Sequence, residues 1–251
     1  MKIGILTLPL HTNYGGILQA YALQTVLERM GHEVIVFDQD RDICRSVFRQ
    51  MLTLGKYIVN KFLLRKNVRY FAPREQNKER REREQHTRAF IEKYINVYLV
   101  RHLEKDVPKN LDAIVVGSDQ VWRHLYFTGM FHTKIENAFL NFTENRVIKR
   151  VAYAASFGTD DWEYSEKETQ KCAQLLGEFD AVSVREKSAV ALCKEKLGRA
   201  DVQHLLDPTM LLTKEDYIQL VKEANTPPSE GNLMCYILDE SQEKKALINR
   251  I

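Results

Sequence analysis

Apolar and polar positions follow two rhythms along this chain, and the first thirty-eight residues contain both. A continuous apolar run over 3–8 predicts a strand buried on both faces. The polar loop His11-Thr12-Asn13-Tyr14-Gly15-Gly16 follows, and then Ala20, Leu23, Leu27 and Met30 recur at 3/4 spacing. That spacing predicts an amphipathic helix ending at Gly31 as its C-terminal cap. A second apolar run, 34–37, predicts a strand that closes on Asp38. Together these make a β-loop-α-β unit, and ligands of open α/β sheets gather where strand ends face helix starts. Gly15 and Gly16 carry no Cβ, so the loop admits close approach to its backbone and is a candidate site.

The strand rhythm returns over 113–116, 151–155, 181–184 and 203–206. Each run ends in a small, polar or charged cluster: Gly117-Ser118-Asp119-Gln120-Val121-Trp122, Ser156-Phe157-Gly158, Arg185-Glu186 and Asp207-Pro208-Thr209. Helical patterns such as 188–197 follow. The repetition predicts an α/β fold, a doubly wound parallel sheet with its clusters along one edge.

Residues 41–101 break this rhythm with two long helical patterns and no strand, and predict a helical insertion over about 41–105. Its first half, 41–69, sets eight basic residues against the single acid Asp42, with Phe48, Leu52, Ile58 and Phe62 among them. Either this face packs on the sheet, or it lies on anionic lipid. The second half pairs Lys78/Glu82, Glu79/Arg83 and Arg80/Glu84 at i,i+4, a solvated helix face with no chemistry assigned. Near the end, 225–231 reads as a linker, 233–238 as a strand, and Ser241 as the cap of a helix running to Ile251. The expected organisation is an N-terminal domain over 1–224, a linker, and over 232–251 the start of a second α/β domain. A truncated chain or gene is the expectation that follows.

Composition narrows the function classes. With 44% hydrophobic and 28% charged residues the chain is of the globular class, and a net charge of +3 is too small to point to nucleic acid. Cys44, Cys172, Cys193 and Cys235 form no C-x-x-C pair, which fits a reducing cytoplasm rather than a disulfide or zinc framework. No apolar run approaches the ~20 residues of a membrane span. The first turn lacks G-x-G-x-x-G and no Walker loop is present, so no cofactor is expected. Asp38-Gln39-Asp40-Arg41-Asp42 holds overlapping D-x-D triplets, but polar residues after a strand commonly form a turn and helix cap, and no metal is expected.

Ser118, Asp119 and Gln120 supply hydrogen-bonding groups at a strand exit. Trp122 adds a broad apolar face, either a platform for a sugar ring or a core residue. Arg185 suits bidentate capture of phosphate or carboxylate, or a structural pair with Glu186. Asp207-Pro208-Thr209 reads as a turn. Asp119 and His11 are the local candidates for proton transfer, and the other histidines read as structural or surface residues.

In order, these clusters resemble the polysaccharide pyruvyl transferase family. The resemblance is carried by Asn13-Tyr14-Gly15-Gly16 with Leu18-Gln19-Ala20-Tyr21-Ala22-Leu23, by 117–122, and by Ser156-Phe157-Gly158, Ser183-Val184-Arg185-Glu186 and Asp207-Pro208-Thr209. It implies two Rossmann-type domains facing across a cleft, the glycosyltransferase-B arrangement. It also implies transfer of a pyruvyl group from phosphoenolpyruvate, a donor substrate rather than a cofactor, to a bacterial surface glycan, forming a ketal. The acceptor would be a glycan, often lipid-linked, which gives the basic helix a use at the inner membrane. The family's reactive Arg and His residues lie largely in the second domain. What this chain would supply is the acceptor side: Asn13, Gly15, Gly16, Gln19, Ser118, Asp119, Gln120, Trp122 and Ser156, with Arg185 facing the donor. A nucleotide-sugar glycosyltransferase of the same fold and a non-catalytic glycan-binding domain are the rival readings.

Overall fold

Seven parallel strands are the frame on which the loops hang, among the residues that the computed structural model describes: 1–39, 57, 61, 73–144, 146–227, 231, 234–235, 237, 239 and 241–250. They are β1 (Lys2–Leu6), β2 (Glu33–Asp38), β3 (Val97–Leu99), β4 (Ala113–Val116), β5 (Lys149–Ala155), β6 (Ala181–Val184) and β7 (Gln203–His204). Their order is β3-β2-β1-β4-β5-β6-β7. This is a Rossmann-like doubly wound sheet whose strand order reverses between β1 and β4. Ile3 lies opposite Ala113 and Leu6 opposite Val116 across that switch point.

Period-2 alternation sends successive side chains to opposite faces, and both faces are apolar because helices cover each. Ile3, Ile5, Val34, Val36, Ala113 and Val115 gather with Ile17, Ala20 and Leu23 of α1 (Tyr14–Arg29) and with Ile91 of α2 (Pro73–Tyr94). Leu6, Phe37, Ile114, Val116, Val182 and Val184 form the other face. That face packs on Phe127 of α4 (His124–Phe131), Leu176 of α5 (Glu166–Gly177) and Leu197 of α6 (Lys187–Leu197). A short α3 (Leu103–Asp106) leads from β3 towards β4. Single 3₁₀ turns occupy Ile135–Phe139, Asn141–Thr143 and Pro208–Leu211, the last packing against α1.

The described residues divide into two compact units, 1–212 and 213–251. The second holds α7 (Lys214–Ala224), opened by a Thr213/Asp216 capping box, and α8 (Gln242–Ile248), capped by the Ser241 hydroxyl. Among the described residues no helix is long and apolar enough to cross a membrane.

Several expectations need correction. The stretch read as strandless contains β3, which at three residues is too short to leave a periodic signature. The strand read over 203–206 is only Gln203–His204. Part of α2 is not solvated: Glu84 is buried, 3.9 Å from both Arg80 and Arg88. The basic pattern of 41–69 lies outside the described residues apart from Tyr57 and Lys61. The strand read over 233–238 falls mostly outside them, and Met234, Cys235 and Ile237 carry no strand.

Gly4, in the middle of β1, permits the closest packing in the sheet. A Cβ there would stand 2.5 Å from Phe37 Cζ and 3.1 Å from Leu111 Cδ1. Gly4→Ala is expected to cost about 1–3 kcal/mol of unfolding free energy in urea titration, the usual range for overpacking. Combined with Phe37→Leu it is expected to cost less than the sum of the two single changes, because the clash is shared.

Candidate functional site

The strand ends at the switch point are joined by one buried amide. Gln19, one turn into α1 and 1% exposed, donates from Nε2 to Thr7 Oγ1 at 2.7 Å and to the Gly16 carbonyl at 2.8 Å. Its Oε1 accepts from the Ser118 N–H at 3.2 Å. This brings the loop after β1 and the loop after β4 together. Asn13 stands at the N-cap of α1 but its side chain accepts no capping hydrogen bond. A Cβ on Gly16 would lie 2.8 Å from Asp119 Oδ2 and 3.1 Å from Asn13 Nδ2, so glycine leaves the space that the ends of these two side chains approach at the helix start. Gly15 is exposed and would meet only Asn13. Asp119 Oδ1 accepts the Gln120 N–H at 2.8 Å.

A second knot extends along the rim. Asp207 Oδ2 accepts from Ser118 Oγ at 2.7 Å and from Arg185 Nη1 at 3.0 Å, while its Oδ1 accepts from Thr209 N and Oγ1. Arg185 Nε donates to Glu186 Oε1 at 3.1 Å, and Ser156 Oγ donates to the same oxygen at 2.8 Å. The Ser156 oxygen in turn accepts the Gly158 N–H at 3.0 Å. Gly158 has φ +68°, and a Cβ there would collide with the Gln120 side chain. A register irregularity in β5 between Ala152 and Ala155 lies just before this knot. Ser183 Oγ satisfies it, accepting from Ala154 N at 2.9 Å and donating to Ala152 O at 3.0 Å. Bulges of this kind are common beside sites because they re-aim the residues that follow.

Charge balance determines what the rim can hold. Burial pushes the Asp119 carboxyl above its usual range; the Gln120 N–H and Arg185 pull it down, and Asp207 adds to the rise. Asp207 moves the other way: burial would raise it, but donors from Thr209, Ser118 and Arg185 hold it below the usual range. Burial alone would lower the Arg185 pKa, yet its bonds to Asp207 and Glu186 raise it. Arg185, Glu186 and Asp207 together carry one negative charge when ionised. Glu186 Oε2 is buried and has no hydrogen-bond partner.

The structure brings Asn13, Gly16, Gln19, Ser118, Asp119, Gln120, Ser156 and Arg185 to one rim. Gln19, Ser118 and Ser156 are buried and act as its framework. Trp122 is a correction. It is fully buried, its ring stacks on Phe139 at 4.9 Å and 6°, and its Nε1 donates to the Ala138 carbonyl, so it offers no platform to a ligand. Arg185 takes the structural pairing with Glu186, extended by Asp207, so two carboxylates hold its guanidinium. His11 is half-buried on the same loop as Asn13, with Nδ1 3.2 Å from Thr12 Oγ1.

Asp38 is fully buried; it accepts from Leu10 N and Gln39 N and pairs with Arg88 at 3.1 Å, tying β2 to α2. Asp40 and Asp42 lie outside the described residues. Among the described residues no three His, Cys, Asp or Glu side chains are grouped to hold a metal. Burial raises the thiols of Cys172 and Cys193, the latter up to about 12, so neither is poised as a nucleophile. Asp207 is the rim residue that sequence reasoning missed. A turn before Pro208 accounts for only one of its two oxygens.

The model of a family described as polysaccharide pyruvyl transferase matches residues 13–249. No curated protein matches the chain.

The opposed shifts of Asp119 and Asp207 predict opposite pH signatures. Folding favours protonated Asp119, so its charge costs stability above its unperturbed value of about 4. Asp119→Asn is expected to raise Tm at pH 7, with the gain disappearing as the pH falls below about 4. Folding favours ionised Asp207, whose contribution is present above about pH 4 and is lost on acidification. Asp207→Asn is expected to cost about 2–3 kcal/mol at pH 7, the scale of lost charge-assisted hydrogen bonds, and little in strong acid. Thermal scans from pH 3 to 8 read both.

Proposed function

The chain belongs to the polysaccharide pyruvyl transferase family, and from that premise we propose that it takes part in moving a pyruvyl group from phosphoenolpyruvate to two hydroxyls of a bacterial surface glycan. The products are a cyclic ketal and inorganic phosphate. The enol methylene takes a proton and becomes a methyl group. The central carbon, now cationic, accepts the first hydroxyl oxygen; its bond to the phosphate oxygen then breaks, the electron pair leaving with phosphate, and the second hydroxyl oxygen attacks the same carbon and closes the ring. Of the two hydroxyl protons, one balances the new methyl hydrogen and the other leaves with phosphate or solvent.

In this reading the rim is the acceptor side. The observation that carries it is Asp119, a carboxyl raised by burial and set against Gly16 beside the uncapping Asn13 amide. A carboxyl so tuned accepts a proton from a sugar hydroxyl and passes it on near neutral pH more readily than an ordinary carboxylate. The net negative charge of Arg185, Glu186 and Asp207 suits a neutral polyhydroxyl compound and disfavours an anion. The cations that hold the donor's carboxylate and phosphate are therefore assigned elsewhere in the protein. Helix N-termini commonly receive phosphates, but here the start of α1 already faces Asp119. That weighs against a nucleotide diphosphate at this turn. A lipid-linked acceptor, met at the cytoplasmic face of the inner membrane by the basic residues of 41–69, belongs to the same proposal.

Phosphate release from phosphoenolpyruvate, dependent on added glycan, is the expected activity. Asp119→Asn is expected to lower kcat about a hundredfold or more, the range of a lost acid–base group. Thermal protection by nucleoside diphosphates in place of phosphoenolpyruvate, or glycan binding without donor consumption, would contradict the reading.

A further inference from the structure

A sugar site pairs fixed polar groups with an apolar platform. The rim has the polar groups, but Trp122 is buried beneath Phe139 and Phe157 and cannot supply the platform. We propose that Tyr14 is that platform, stacking on the C–H face of a hexopyranose acceptor and giving the site its preference for a closed sugar ring. The inference rests on the acceptor reading above.

Tyr14 directly follows Asn13 and is the first residue of α1. It is 62% exposed, and among the described residues its side chain makes no hydrogen bond or ring contact. The next two residues, Gly15 and Gly16, have no side chains to cover it, and Asp119 Oδ2 lies against Gly16. An unoccupied aromatic ring thus opens the helix whose first turn the tuned carboxyl approaches from the loop after β4. The other strongly exposed aromatic residues of the first unit are less suited. Tyr126 already carries the Arg123 guanidinium 4.4 Å over its ring. Tyr98 lies on β3, at the outer edge of the sheet and two strands from β1. Tyr21, further along α1 and only partly exposed, is packed edge-on against Phe90 and Tyr94.

The physical basis is complementary charge and buried area. The face of the tyrosine ring is negative, and pyranose C–H groups are weakly positive and apolar, so stacking them removes apolar area from water at small entropic cost. An open-chain hexitol carries the same hydroxyls without a fixed C–H face, so the ring contributes little to holding it. Tyr14 would therefore select by ring closure, while Asn13 and Asp119 select by hydroxyl position.

The test compares the full chain with its Tyr14→Ala, Tyr14→Phe and Tyr126→Ala variants. Methyl hexopyranosides and hexitols are titrated by saturation-transfer NMR and calorimetry, and phosphate release from phosphoenolpyruvate is measured in parallel. Tyr14→Ala is expected to weaken pyranoside binding and raise acceptor KM about tenfold, with donor KM unchanged and hexitol binding barely altered. Tyr14→Phe is expected to behave as wild type. Unchanged pyranoside affinity in Tyr14→Ala overturns the inference, and a loss confined to Tyr126→Ala assigns the platform to Tyr126 instead. Pyranoside binding that depends on Tyr14 without donor consumption overturns the proposed reaction and leaves the platform standing. Donor consumption with wild-type kinetics in Tyr14→Ala does the reverse, and a chain that binds no saccharide overturns both.

Discussion

Everything at the rim depends on the Gln19 side chain. A primary amide is a flat group with two donors and one acceptor oxygen, and here it binds the exit of β1, the first turn of α1 and the exit of β4 at once. These are the two loops that diverge at the switch point of the sheet. Neither a shorter amide nor a carboxylate can make the same three bonds, because one lacks reach and the other lacks the N–H groups. With the loops held, Gly16 leaves room for the Asp119 carboxyl at the helix start.

The cost of this arrangement is electrostatic. A carboxyl with a raised pKa destabilises the folded chain at neutral pH, and such costs persist where a reactive group is needed. Asp207 offsets part of it, because its bonds to Ser118, Thr209 and Arg185 favour the folded state. Arg185 is thus the centre of a carboxylate network and not an anion receptor. In the proposed reading, that distinction suits the rim to a neutral, hydroxyl-rich partner.

Much of the frame was legible in the sequence. β4 is a continuous apolar run, β6 is one interrupted by Ser183, and α1 shows its 3/4 spacing, with Met30 as C-cap and Gly31 at φ +83° directly after it. β3 was not legible, because three residues at a sheet edge carry no period, nor was the bulge of β5, whose strained position is an alanine at φ +48°. The ordered clusters pointed to the family, yet they could not say which way a side chain turns. The sequence leaves Trp122 open between platform and core, because the residues that bury it, Phe139, Phe157 and Tyr164, lie further along the chain. The sequence offers Arg185 its neighbour Glu186 as a partner, but not Asp207, which is twenty-two positions away.

Hydrogen exchange by mass spectrometry tests the shared rim most directly. Saturating acceptor glycan is predicted to slow exchange in 13–19 and 117–122 together, with phosphoenolpyruvate alone leaving both unchanged. Protection of one segment without the other, or protection of these segments by phosphoenolpyruvate alone, would contradict the account.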